Sequence, residues 1–172
     1  YFALATRYEK ERRWVLARER YEDILRYHPA SPLAVRAQAR IPHMRLVALR
    51  SPEYDRRELL RADAELREWL GAHAASAPDE LVARVRLDQA DCLERLVEND
   101  LTVARFYRRI DRDIGARFHG ERALETARSA ENERSIRRAD HFLATVAPAP
   151  QKAMDAAVAP APAPEPVEGS AP

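Results

Sequence analysis

The strongest constraint on this chain is a spacing that occurs twice. ATRYEKERRWVLARERYEDIL (residues 5–25) and ARFYRRIDRDIGARFHGERAL (104–124) align without a gap. Ala5, Tyr8, Ala17, Arg18 and Leu25 stand opposite Ala104, Tyr107, Ala116, Arg117 and Leu124. Small residues at fixed helical intervals have a physical use: two helix axes approach to about 8–10 Å only where the side chains between them are small. A helical hairpin leaves a second face uncovered, so hairpins stack, and repeated stacking builds a solenoid. The duplicated Ala–Tyr–Ala spacing therefore predicts an all-α pile of hairpins. A large residue at Ala17 or Ala116 is expected to overpack the crossing by about 1–3 kcal/mol, read from urea denaturation.

The rest of the chain fits helices joined by short turns. Gly is scarce, at four residues, and β-branched residues never alternate in runs, so no sheet is expected. After a helix carrying Ala17, Tyr21 and Ile24, the stretch HPASP stops the chain. Ser31 reads as the cap of a second helix and Pro32 as its first residue, with Leu33, Ala37, Ile41, Met44 and Ala48 on one stripe. Pro42 lies inside that stripe and predicts a kink or break. SPEYD (51–55) ends it; Leu59, Ala62, Leu66 and Trp69 mark the next helix, which Gly71 and HAASAPDE close.

Val85, Cys92, Leu96, Val103, Tyr107 and Ile110 then keep helical phase, which predicts one long helix unless Asn99–Asp100 breaks it. After a turn at 111–113, Ile114, Phe118 and Leu124 share a stripe; Ile136, Ala139, Leu143 and Val146 form the last, opened by Ser129. Six or seven helices over residues 1–146 result. Residues 147–172 carry seven of the twelve prolines and no aromatic side chain, so they cannot bury enough surface to offset ordering. They read as a flexible Pro/Ala-rich tail.

The spaced positions resemble the tetratricopeptide repeat, a helix–turn–helix unit of about 34 residues. Leu4, Ala5, Tyr8, Ala17, Tyr21, Ile24 and Pro29 match its pattern in a first copy. Val103, Ala104, Tyr107, Ala116 and Ala123 match it in a last copy, where Gly120 replaces the expected aromatic and Arg128 the expected proline. Residues of about 32–74 form an irregular middle copy that keeps Ala62. The resemblance implies a tetratricopeptide-like solenoid of about three repeats. More narrowly, YEDILRYHPASPLAVRAQARI and DLTVARFYRRIDRDIGARFHGERALE resemble segments of the BamD-like outer-membrane assembly lipoproteins. That resemblance implies a periplasmic scaffold at the outer membrane that helps to assemble β-barrel proteins. Its partners would be a barrel assembly protein or its substrates, and a lipid anchor outside the quoted chain would be its tie to the membrane. A cytoplasmic adaptor built from the same repeats is the alternative.

No catalytic motif stands out. Cys92 is the only cysteine, so neither an intrachain disulfide nor a Cys-based zinc site can form, and its apolar phase reads as a buried thiol. His28, His43, His73, His119 and His141 lack the spacing that sets two ligands on one helix face, so no metal is expected. The acidic pairs Asp111/Asp113 and Glu131/Glu133 flank helix ends, where negative charge is stabilising in any case. No glycine-rich phosphate loop occurs, and neither a cofactor nor an enzymatic activity is expected. The 29 basic and 28 acidic residues cancel to a net charge of +1, which gives no field suited to nucleic acid. One local feature remains. Arg105, Arg108, Arg109 and Arg112 fall on one face by helical spacing, with Phe106 and Tyr107 between them. Guanidinium forks suit carboxylate or phosphate, so this set reads as a partner-binding face.

Overall fold

The computed structural model describes residues 1–49 and 56–147. Seven helices occupy them, with no strand among the described residues: α1 (Phe2–Lys10), α2 (Trp14–Tyr27), α3 (Ala34–Ala48), α4 (Arg56–His73), α5 (Asp79–Arg109), α6 (Asp113–Ser129) and α7 (Glu133–Ala144). Each helix packs on the next in the chain, and α3 also meets α5, as α5 meets α7. SPEYD and all of the expected tail except Ala147 lie outside the described residues.

The core is a series of three clusters rather than one. The first joins α1, α2 and α3 through Ala5, Ala17, Tyr21, Ile24, Ala37, Ile41 and Met44. In the second, Leu59, Ala62, Leu66 and Trp69 of α4 pack with Val85, Cys92 and Leu96 of α5. A third sets Val97 and Leu101 of α5 against Ala123, Ala127 and Ala139 of α6 and α7. The four alanines of the duplicated spacing, Ala5, Ala17, Ala104 and Ala116, are all fully buried. Tyr8 and Tyr107 are half-buried beside them.

Three of the hairpins turn in the same way. The N–H of Arg13 reaches back to the Tyr8 carbonyl and that of Arg112 to Tyr107, both at 2.9 Å; the N–H of Asn132 reaches Ala127 at 3.1 Å. This six-to-one bond is the Schellman closure of a helix end, and it puts the residue before it in the left-handed region. Those residues are Arg12 (φ 56°), Asp111 (φ 53°) and Glu131 (φ 51°), none of them glycine. An L-residue pays about 1–2 kcal/mol there, partly offset by the smaller freedom it loses on folding. Arg12→Gly, Asp111→Gly and Glu131→Gly are each expected to stabilise the chain by about 0.5–1 kcal/mol in thermal denaturation. The same change at Lys10, inside α1, should destabilise by about 1 kcal/mol.

Several sequence expectations need correction. Pro42 does not break α3, which runs unbroken from Ala34 to Ala48. Its ring is buried, and the one ladder bond it forgoes would have ended on the Gln38 carbonyl. Ser31 does not cap α3 directly: its hydroxyl accepts the Leu33 N–H at 3.2 Å in the preceding turn, and the helix starts at Ala34. Ser129 is the last residue of α6, not the opening of α7. The cap is Asn132, whose side-chain oxygen accepts the Ser135 N–H at 3.0 Å. Asn99 and Asp100 are no break; both are buried within the single helix α5. Ile110, the residue that closes α5, is exposed, and so are Ile114 and Phe118, because α6 buries its small face, Ala116, Gly120, Ala123 and Ala127.

The two departures in the last repeat copy have visible compensations. A Cβ on Gly120 would come within 2.8 Å of Leu143 and 3.0 Å of Phe142, so those α7 side chains fill the volume that Tyr21 fills in the first copy. Where Pro29 follows the end of α2, Arg128 lets α6 run on to Ser129.

Candidate binding surface

Charged contacts knit the odd-numbered helices into a row. Glu9 of α1 accepts from the Arg40 guanidinium of α3 at 2.6 Å and from the Tyr21 hydroxyl. His43 of α3 meets Asp88 of α5 at 2.9 Å, and Arg95 of α5 donates to the Leu46 carbonyl at 2.8 Å. Glu98 of α5 pairs with Arg138 of α7 and, at 3.0 Å, with Arg105. The two guanidiniums hold the Glu98 carboxyl below its ordinary range against the opposing pull of burial. At least one polar tie thus closes each step from α1 to α3 to α5 to α7.

A second charged centre lies under the α5–α6 packing. Asp100 is fully buried, and Arg122 of α6 clasps its Oδ1, with Nε at 2.8 Å. Arg56, the first residue of α4, donates to Oδ2 at 3.1 Å. His119 closes the group: its Nδ1 lies 2.9 Å from Arg122 Nη2, from which a neutral ring accepts, and 3.4 Å from Asp100 Oδ1, to which a protonated Nδ1 donates. One carboxylate therefore fastens three helices. The Arg56 guanidinium is held below its ordinary range, first by burial, then by Arg122, with Asp100 opposing.

Burial, then the Arg122 and Arg56 charges, hold the His119 imidazole below its ordinary 6.5, although Asp100 pulls upward. A depressed histidine binds fewer protons folded than unfolded, so its contribution to stability is present above 6.5 and is lost as pH falls toward the folded value. His119→Gln should flatten the decline in unfolding free energy below pH 6.5, measured by denaturation at a series of pH values.

A third feature is a cleft of about 280 Å³ between α2, α3 and α4, floored by Ile41 and Pro42 and walled by Glu22, Arg45, Glu65 and Glu68. Arg45 is buried there and holds Glu58 and Glu65, each at 2.9 Å. Burial disfavours its charge, yet the two carboxylates more than restore it and raise its pKa.

Of the arginines expected to bind a partner, Arg105, Arg108 and Arg109 lie exposed on the last turns of α5. Arg112 does not share their helix face. It follows the left-handed Asp111 and precedes α6, so the set wraps the hairpin tip instead of running along one helix. Arg105 pairs with Glu98 at 3.0 Å and Arg108 with Asp113 at 3.6 Å. No carboxylate among the described residues pairs with Arg109 or Arg112. Of the repeat positions, Ala62, Ala123, Tyr21 and Ile24 are buried and Val103 is half-buried, whereas Leu4 and Pro29 are exposed and take no part in the interior.

Cys92 is fully buried, its thiol donates to the Leu59 carbonyl at 3.2 Å, and burial with nearby Asp63 and Asp91 pushes its pKa up to about 12. A thiol in that state is a poor nucleophile. Among the described residues, no group of three or more His, Cys, Asp and Glu side chains could hold a metal ion, and no helix is long and apolar enough to cross a membrane. Comparison with protein-family models and with curated proteins finds no match to this chain.

Proposed function

We propose that this chain is a non-catalytic, tetratricopeptide-like scaffold of about three hairpins that binds other proteins, in the manner of the BamD component of outer-membrane β-barrel assembly. The observation that carries the scaffold reading is the row α1, α3, α5 and α7. Each odd helix is tied to the next by a charged contact, and the even helices sit between them in chain order. Such a row offers an extended, helix-lined face of the kind that stacked repeats use to hold a segment or a domain of a partner.

The outer-membrane role rests on the sequence resemblance of residues 21–41 and 100–125, and it carries the periplasmic location with it. The test is crosslinking and affinity purification of the full protein from the cell that makes it. Recovery of an outer-membrane barrel with periplasmic domains supports the assembly role. Recovery of cytosolic complexes alone overturns that role and leaves a generic adaptor; recovery of no protein partner overturns the scaffold.

A further inference from the structure

Resting on the scaffold reading, we propose that the α5–α6 hairpin tip docks an acidic amphipathic segment of a partner protein. Phe106, Ile110, Ile114 and Phe118 would receive its apolar side chains, and Arg109 and Arg112 its carboxylates. The four apolar residues fall within thirteen consecutive positions and are 53%, 47%, 62% and 56% exposed. Phe106 and Phe118 are linked ring to ring, and Ile110 and Ile114 lie between them along the turn. The rings of Phe106, Tyr107, His119 and Phe118 follow one another at centroid distances of 5.8, 5.5 and 5.2 Å, and the Arg122 guanidinium covers Phe118 at 5.3 Å.

The molecule contains its own control. The α1–α2 hairpin makes the same turn with the same hydrogen bonds, and in the aligned register its residues at these four places are Arg7, Glu11, Val15 and Glu19. Arg7 and Glu11 pair with each other at 2.9 Å, as solvated helix ends do. The α6–α7 turn has Thr126, Ala130, Arg134 and Arg138 there. Val15, 53% exposed, is the only large apolar residue at these places in the other two turns, so the turn itself does not call for a cluster of large apolar side chains, and four together are found at the α5–α6 tip. Charge selects the occupant. Two guanidiniums at the rim have no carboxylate among the described residues, and they would oppose a basic segment or a second copy of the same tip, whereas an acidic one satisfies them.

Apolar anchors ringed by arginine are the composition that concentrates binding energy at protein interfaces. Tyr107 is held in place from below: a Cβ on Gly115 would come within 2.7 Å of its ring, so the glycine lets the ladder lie flat on α6.

The experiment places the photocrosslinker p-benzoylphenylalanine at position 114, and separately at position 15 as the matched control, in the full protein within its own cell. Products are mapped by mass spectrometry. The expected result is a product at position 114, at least fivefold more abundant than at 15, whose mapped segment is net acidic with interspersed apolar residues. Arg109→Glu with Arg112→Glu should reduce it about tenfold, and Val15→Ser should leave it unchanged. A neutral or basic segment, a lipid adduct, a crosslink to a second copy, or equal yields at 114 and 15 would each overturn the proposal. A protein partner recovered by the affinity purification above, when position 114 gives no product, leaves the scaffold standing and removes only this surface. Recovery of no protein partner by either experiment removes both.

Discussion

Trp69→Ala should destabilise the protein by about 3–5 kcal/mol, the range for truncating a large aromatic in a packed core. Trp69 is the largest fully buried side chain and sits in the middle cluster, on which α3, α4 and α5 all depend. Its indole N–H also donates to the Val35 carbonyl at 3.0 Å, so the substitution leaves an acceptor without its donor as well as a cavity. For domains whose total stability is about 5–15 kcal/mol, a loss of this size consumes a large share. Equilibrium unfolding in urea measures it, and Trp69→Phe separates the two contributions: most of the volume returns, while the hydrogen bond does not. Recovery to within about 1–2 kcal/mol of the parent is expected for Trp69→Phe.

Asp100→Ala is the second large effect. Removing one partner from a buried ion pair costs about 3–5 kcal/mol when the remaining charge is trapped, but Arg56 and Arg122 each keep about a quarter of their side chains in solvent, which lowers the expected loss to about 2–4 kcal/mol. The loss should be shared among helices. Hydrogen exchange is expected to quicken at the start of α4 and along α6, the two elements that Asp100 fastens to α5. A double-mutant cycle with Arg122→Ala should show a coupling of about 1–3 kcal/mol; simple additivity would mean that the contact does not act as a clasp.

Sequence periodicity read some helices well because burial followed hydrophobic size. In α4 the stripe Leu59, Ala62, Leu66 and Trp69 is fully buried, as its spacing predicts. In α6 the apolar stripe selected Ile114 and Phe118, which are exposed, whereas the duplicated spacing marked Ala116 and Ala123 of the true inner face, since close helix packing buries alanine and glycine while large side chains are free to serve another purpose. The Asp100 centre escaped notice for a different reason. Its ligands come from positions 56, 119 and 122, and only tertiary packing makes them neighbours. In the linear chain, Asn99–Asp100 looks like a place to stop a helix. The repeated turn was equally hidden, because Arg12, Asp111 and Glu131 carry none of the glycine that marks a left-handed helix end. What survived translation best was the duplicated alanine spacing, whose four members are all buried.

The trough at Gly120, filled from above by Phe142 and Leu143, sets where the protein can be cut. A fragment ending after α6 would expose an oily furrow along its final rod and should clump, although it keeps whole hairpins through that point. The smallest well-behaved fragment must extend through α7 to Ala147, whose carbonyl, with that of Val146, is gripped by Arg117.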